Sequence, residues 1–90
     1  MVSFEEKVLQ AYPKKINEIA EHLSQDEKFR NIYKNPSKEE IIAKLNEPSF
    51  NTFDDGGVLT YCNHEFDDVH VIDLEFEGVL ESFSEVSIDG

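Results

Sequence analysis

The sequence predicts an α+β fold, with short N-terminal helices packed on one face of a C-terminal antiparallel β-meander of three to four strands. Three observations predict it. Helix-start patterns recur three times before residue 41, the apolar spacing changes from helical to alternating after Pro48, and turn residues separate the segments beyond that point. The 90 residues contain no internal repeat, low-complexity tract or Gly/Ser linker, so the chain reads as one domain, helical over 1–47 and sheet over 49–89.

Ser3-Phe4-Glu5-Glu6 is a capping box, with a hydroxyl for the amide three residues on and a carboxylate that reaches back. Phe4, Val8, Leu9, Tyr12, Ile16, Ile19, Ala20 and Leu23 then share an arc of about 160° at helical spacing. Pro13 lacks an amide hydrogen and clashes with the preceding turn, so two short helices with Pro13 opening the second are expected, one kinked helix being the alternative. Ser24-Gln25-Asp26-Glu27 repeats the box ahead of Phe29, Ile32 and Tyr33, and Asn35-Pro36 stops that segment. Ser37-Lys38-Glu39-Glu40 opens a last helix that groups Ile41, Ile42 and Leu45 before Pro48.

Ser49–Phe53 then reads as a strand, and Asp54-Asp55-Gly56-Gly57 as a turn whose glycines supply positive φ. Val58–Asn63 is the second strand, with a loop at Glu65-Phe66-Asp67-Asp68. Val69–Phe76 is the third: His70, Ile72, Leu74 and Phe76 alternate with Val71, Asp73, Glu75 and Glu77. In Leu80–Ile88, Phe83 and Val86 are out of phase, which predicts a bulge or a two-sided environment.

Charge divides the chain unevenly. The net charge is −12; all eight basic residues lie at or before Lys44, where eight acids match them, and from Asn46 onward twelve acids meet no base. This disfavours direct binding to nucleic acid or to anionic membrane, both of which require Lys and Arg. No basic leader, secretory core or membrane-length apolar run is present, and the lone Cys62 permits no internal disulfide, so a cytoplasmic protein is expected.

Cys62, His64 and His70, with Asp67 and Asp68 between the histidines, have the donor types of a zinc site but not the spacing of an established framework. A small core role for Cys62 and a surface role for His22 are the simpler readings. The acidic turns lack the alternation and closing Glu of an EF-hand. Phosphate loops, nucleophile elbows and Ser-His-Asp patterns are missing, so no enzyme and no cofactor is expected.

The acidic half remains. Like charges about 5 Å apart repel by roughly 0.8 kcal/mol in water, so massing acids without a base is costly for a small domain. Recognition of a basic protein partner offsets that cost and accelerates encounter. Asp54, Asp55, Glu65, Asp67, Asp68, Asp73, Glu75 and Glu77 are the candidate charges, with Phe66 as an aromatic anchor among them. A nucleic-acid mimic occupying a basic groove is the alternative from the same acidity, and a metal site at Cys62, His64 and His70 is the third reading.

The segment Thr60-Tyr61-Cys62-Asn63-His64-Glu65-Phe66-Asp67-Asp68-Val69-His70-Val71-Ile72, with Val86-Ser87-Ile88-Asp89-Gly90, resembles small acidic bacterial proteins of the toxin-immunity type. The stretch Ser37–Pro48 is similar to their helix-into-sheet junction. The resemblance implies a binding protein that neutralises a basic toxin or nuclease, and it transfers no site residue.

Overall fold

A computed structural model describes residues 2–90. Three helices, α1 (Phe4–Gln25), α2 (Glu27–Tyr33) and α3 (Lys38–Leu45), precede four strands, β1 (Ser49–Phe53), β2 (Gly56–Tyr61), β3 (Val71–Glu77) and β4 (Ser82–Asp89). The strands form one antiparallel sheet in the order β1-β2-β3-β4, with the helices packed on it, so the fold is α+β. Among the described residues no helix is long and apolar enough to cross a membrane.

Each helix begins on a side-chain oxygen that satisfies an otherwise free amide. Ser3 Oγ accepts from the Glu6 N–H at 3.2 Å, and Ser37 Oγ accepts from the Glu40 N–H at 3.1 Å. The expected cap at Ser24 is corrected: Asp26 caps α2 by accepting from the Phe29 N–H at 3.0 Å, while the Ser24 hydroxyl donates to the Glu21 carbonyl. Aspartate at this place leaves α1 free to run two residues further, through Ser24 and Gln25.

The expected break at Pro13 is also corrected. α1 passes through Pro13 because Val8 on one side and Ile19, Ala20 and Leu23 on the other are fully buried on one face. Burying such side chains is worth about 1.5–3 kcal/mol each, which together outweighs the roughly 3 kcal/mol cost of an internal proline.

The inner sheet face buries Leu59, Tyr61, Ile72, Leu74, Phe76 and Val86 against the helices. Tyr61 meets Tyr12 of α1 through paired phenol oxygens 2.8 Å apart, and burial raises the pKa of both. The outer face carries Ser49, Asn51, Phe53, Val58, Thr60, Asp73, Glu75, Glu77 and Ser87, all exposed or half-buried.

The first hairpin turns on two residues, Asp54 and Asp55, and its positive φ belongs to Asp54 (φ 52°) rather than to the glycines. Gly56 and Gly57 lie within β2. A Cβ on Gly57 would fall on the Asn51 carbonyl and within 2.8 Å of Phe76 Cζ, so its bareness admits the Phe76 ring. Of the two expectations for the last strand, the bulge is the one present: Leu74 opposes Val86 and Phe76 opposes Phe83, which leaves Ser84 and Glu85 together opposite Glu75.

The second strand is shifted two residues toward the N-terminus, Gly56–Tyr61 in place of Val58–Asn63, and the third is one residue shorter than expected. β2 stops at Tyr61, and Cys62 is exposed rather than a core residue. β3 starts at Val71 because the backbones of Val69 and His70 are bonded to Asp67 instead of to a neighbouring strand.

Candidate functional site

The two turns at one end of the sheet bring most of the outer-face acids together. The Gly78 N–H donates to the Asp55 carbonyl at 2.6 Å, which ties the β1–β2 turn to the β3–β4 turn. In the second turn Gly78 (φ 65°) and Leu80 (φ 57°) both adopt left-handed backbone. For leucine that conformation costs about 1–2 kcal/mol, which complete burial of its side chain offsets at about 1.5–3 kcal/mol. Holding Leu80 in the core leaves Glu81 exposed at the rim.

Between these turns lies an open cleft of about 590 Å³ whose lining includes Phe53, Asp54, Asp55, Glu75, Glu77 and Glu81. None of its lining residues is basic. Glu75 and Glu77 project from β3 two residues apart, a spacing of about 6.6–6.8 Å along a strand. The Ser84 hydroxyl lies 3.5 Å from Glu75 Oε1, and Phe53, 55% exposed, supplies an apolar ring beside the carboxylates. Chemically the lining offers carboxylate oxygens that accept hydrogen bonds, set beside an apolar ring.

Asp73 continues the row but is half-buried, and it accepts the Thr60 hydroxyl across the strand pair at 2.7 Å. Its charge is partly spent inside the sheet.

The remaining predicted residues, Glu65, Phe66, Asp67 and Asp68, lie at the other end of β2, roughly 17–20 Å away by strand length. The structure therefore does not gather all the predicted residues into one site. Glu65 and Asp68 are exposed, and the Glu65 N–H donates to the Lys44 carbonyl at 2.8 Å. Phe66 is not a projecting anchor: it stacks on Tyr33 at 4.7 Å, meets Phe29 edge-on at 5.4 Å, and has Lys44 Nζ 5.5 Å from its ring centre. It pins the loop to α2 and α3.

The metal candidates are likewise committed elsewhere. His64 is buried; its Nδ1 accepts from the Phe66 N–H at 3.2 Å, so Nε2 carries the hydrogen and donates to the His70 carbonyl at 2.8 Å. Both ring nitrogens are occupied by backbone. His70 Nδ1 donates to Asp67 Oδ2 at 2.7 Å, and Cys62 stands exposed. Among the described residues, no group of three or more His, Cys, Asp or Glu side chains is placed to hold a metal ion.

Asp67 organises this loop. Burial opposes its charge, but the His70 ring and the backbone amides of His70 and Val69 outweigh that and hold its carboxyl below the ordinary 3.8. Burial, with the charge of Asp67 nearby, pushes the Tyr33 phenol up to about 12. A carboxyl lowered on folding contributes stability that is complete above its unfolded value and disappears as pH falls through its folded one. The loop is thus expected to loosen only below pH 3.8, and Asp67→Asn should abolish that step. Amide exchange at Val69 and His70 across the acid range checks this; the same acid response in the variant would rule out Asp67 as its source.

Sequence reasoning missed Phe53 and Glu81 as members of the cleft. Phe53 shares the period-2 face of Asn51, a signal usable once Asp54-Asp55 is recognised as a two-residue turn. Glu81 had no comparable signal, because its place depends on the bond between the two turns.

Comparison of the chain with protein-family models, with curated proteins and with solved structures finds no match.

Proposed function

We propose that the chain is a non-enzymatic cytoplasmic binding protein that engages a basic protein partner through the acidic outer face of its sheet, in its most concrete form an immunity or inhibitor protein against a toxin such as a nuclease. One observation carries the reading: Asp54, Asp55, Glu75, Glu77 and Glu81 line a single open cleft with Phe53 and no base. Such a face steers a cationic partner and then holds it by occlusion, with the carboxylates setting orientation and Phe53 adding apolar contact. The nucleic-acid mimic is the weaker reading, because it needs an unbroken track of carboxylates and the acids here fall into two groups at opposite ends of β2.

The test compares wild-type protein with Glu75→Lys/Glu77→Lys against the partner recovered from the native host. Both positions are exposed on the strand, so the fold should survive. Association at low salt is expected to slow by about 10-fold or more, with a flatter salt dependence. An unchanged association rate and salt slope would sink the proposal.

A further inference from the structure

The sheet has two edges, β1 and β4, and they are unlike. The β4 edge is blunted. Its bulge at Ser84 and Glu85 disrupts the ladder, His22 Nε2 donates to the Ser84 carbonyl at 2.9 Å, and the His22 ring lies 5.9 Å from Phe83. The β1 edge has no such cover. In the two-residue hairpin Phe53 pairs with Gly56, and Asn51 and Ser49 follow in the same phase toward β2. The N–H and C=O groups of Phe50 and Thr52 therefore point away from the sheet, and among the described residues none of them is bonded to another group of the protein.

Beside that edge, on the helix side, lies a groove of about 150 Å³ lined by Leu9, Tyr12, Pro13, Glu47, Pro48 and Phe50. This is well below the roughly 300–1,000 Å³ of a small-molecule pocket, and it suits one apolar side chain. Leu9 at its rim is 44% exposed. Successive side chains of a strand laid along β1 point to opposite faces, so one set enters this groove while the other extends the outer face beyond Asn51 and Phe53. Charge selects the occupant. Glu47 flanks one end of β1, Asp54 and Asp55 flank the other, and no basic residue follows Lys44.

We infer that β1 is a docking edge for an extended segment of the basic partner, which adds as a fifth strand with apolar side chains toward the Leu9–Phe50 groove and Lys or Arg toward the acidic outer face. This inference rests on the proposed function. A second copy of this chain does not suit the edge, because it brings a charge of −12 to an already acidic surface.

The test uses a synthetic peptide alternating lysine with valine, together with two forms N-methylated on alternate residues. The wild-type protein is expected to bind the parent peptide with amide exchange at Phe50 and Thr52 slowed by about 10-fold or more. Methylation of the set of amides facing β1 should weaken binding by about 10-fold, since it removes the ladder donors, whereas methylation of the other set should not. On the protein side, Thr52→Pro deletes an outward N–H at a position where an edge strand accepts proline, and it should weaken binding similarly.

If both methylated peptides and Thr52→Pro bind as the parent does while Glu75→Lys/Glu77→Lys loses binding, the acidic-face reading stands and the edge inference falls. A parent peptide that fails to bind or leaves the Phe50 and Thr52 amides unprotected also overturns the inference. Indifference to Glu75→Lys/Glu77→Lys as well would remove both. A dimer of this chain in sedimentation that Thr52→Pro dissociates would replace the basic occupant with a second copy.

Discussion

Gly57→Ala is expected to destabilise the protein by about 1–3 kcal/mol, the range for overpacking a closed site. Ordinarily alanine in place of a strand glycine is worth about 0.5–1 kcal/mol in the other direction, because it restricts the unfolded chain. Here the sign reverses. The new Cβ would collide with the Asn51 carbonyl of the neighbouring strand and approach Phe76 Cζ at 2.8 Å. The aromatic ring can turn only by disturbing a core it helps to fill, and the carbonyl belongs to the hairpin ladder. For a domain of this size the loss lowers Tm by about 4–24 °C. Thermal and urea unfolding measure it; a variant as stable as the parent would mean that Phe76 does not lie across Gly57.

Phe29→Ala should cost more, about 3–5 kcal/mol, as for other large aromatic truncations in cores. Phe29 is fully buried, meets Tyr33 at 5.0 Å and Phe66 at 5.4 Å, and so joins α2 to the loop before β3. A domain of 90 residues has total stability on the order of 4.5–13.5 kcal/mol, so this one change removes a large share of it. Hydrogen exchange should show the loop amides from Glu65 to His70 opening together. Phe53→Ala is the contrast: the ring is more than half exposed and its loss should move stability by no more than about 0.5 kcal/mol. Equal effects at the two positions would contradict the core assigned to α2.

Local signals carried most of the fold. The hydroxyls of Ser3 and Ser37 mark helix starts because they satisfy amides within their own turn, and the alternation over Val71–Glu77 marks a half-buried strand because each side chain contributes to the pattern independently. The misread points are those decided by distant neighbours. Pro13 stays inside a helix because sheet and helices share the apolar face on both sides of it. Gly57 is a strand residue because a ring nineteen positions away needs the space.

The same division applies to the site. Glu75 and Glu77 were legible from strand phase alone. Phe66 was not, since an aromatic between acids looks exposed until Phe29 and Tyr33 arrive from another element to cover it. Asp67 carries a charge like its neighbours, yet its carboxylate is occupied by His70 and two backbone amides, which makes it a fastener of the loop rather than free surface charge.

The layering has a mechanical consequence. All the positive charge resides in the helical segment, whereas the strands and their connections contribute only negative charge beyond its own acids. The molecule is therefore an electric dipole with its negative pole toward the sheet, and a positively charged body exerts a torque on it as well as a pull. Rotation of so small a particle is fast compared with its approach, so it reaches such a body with the sheet already leading.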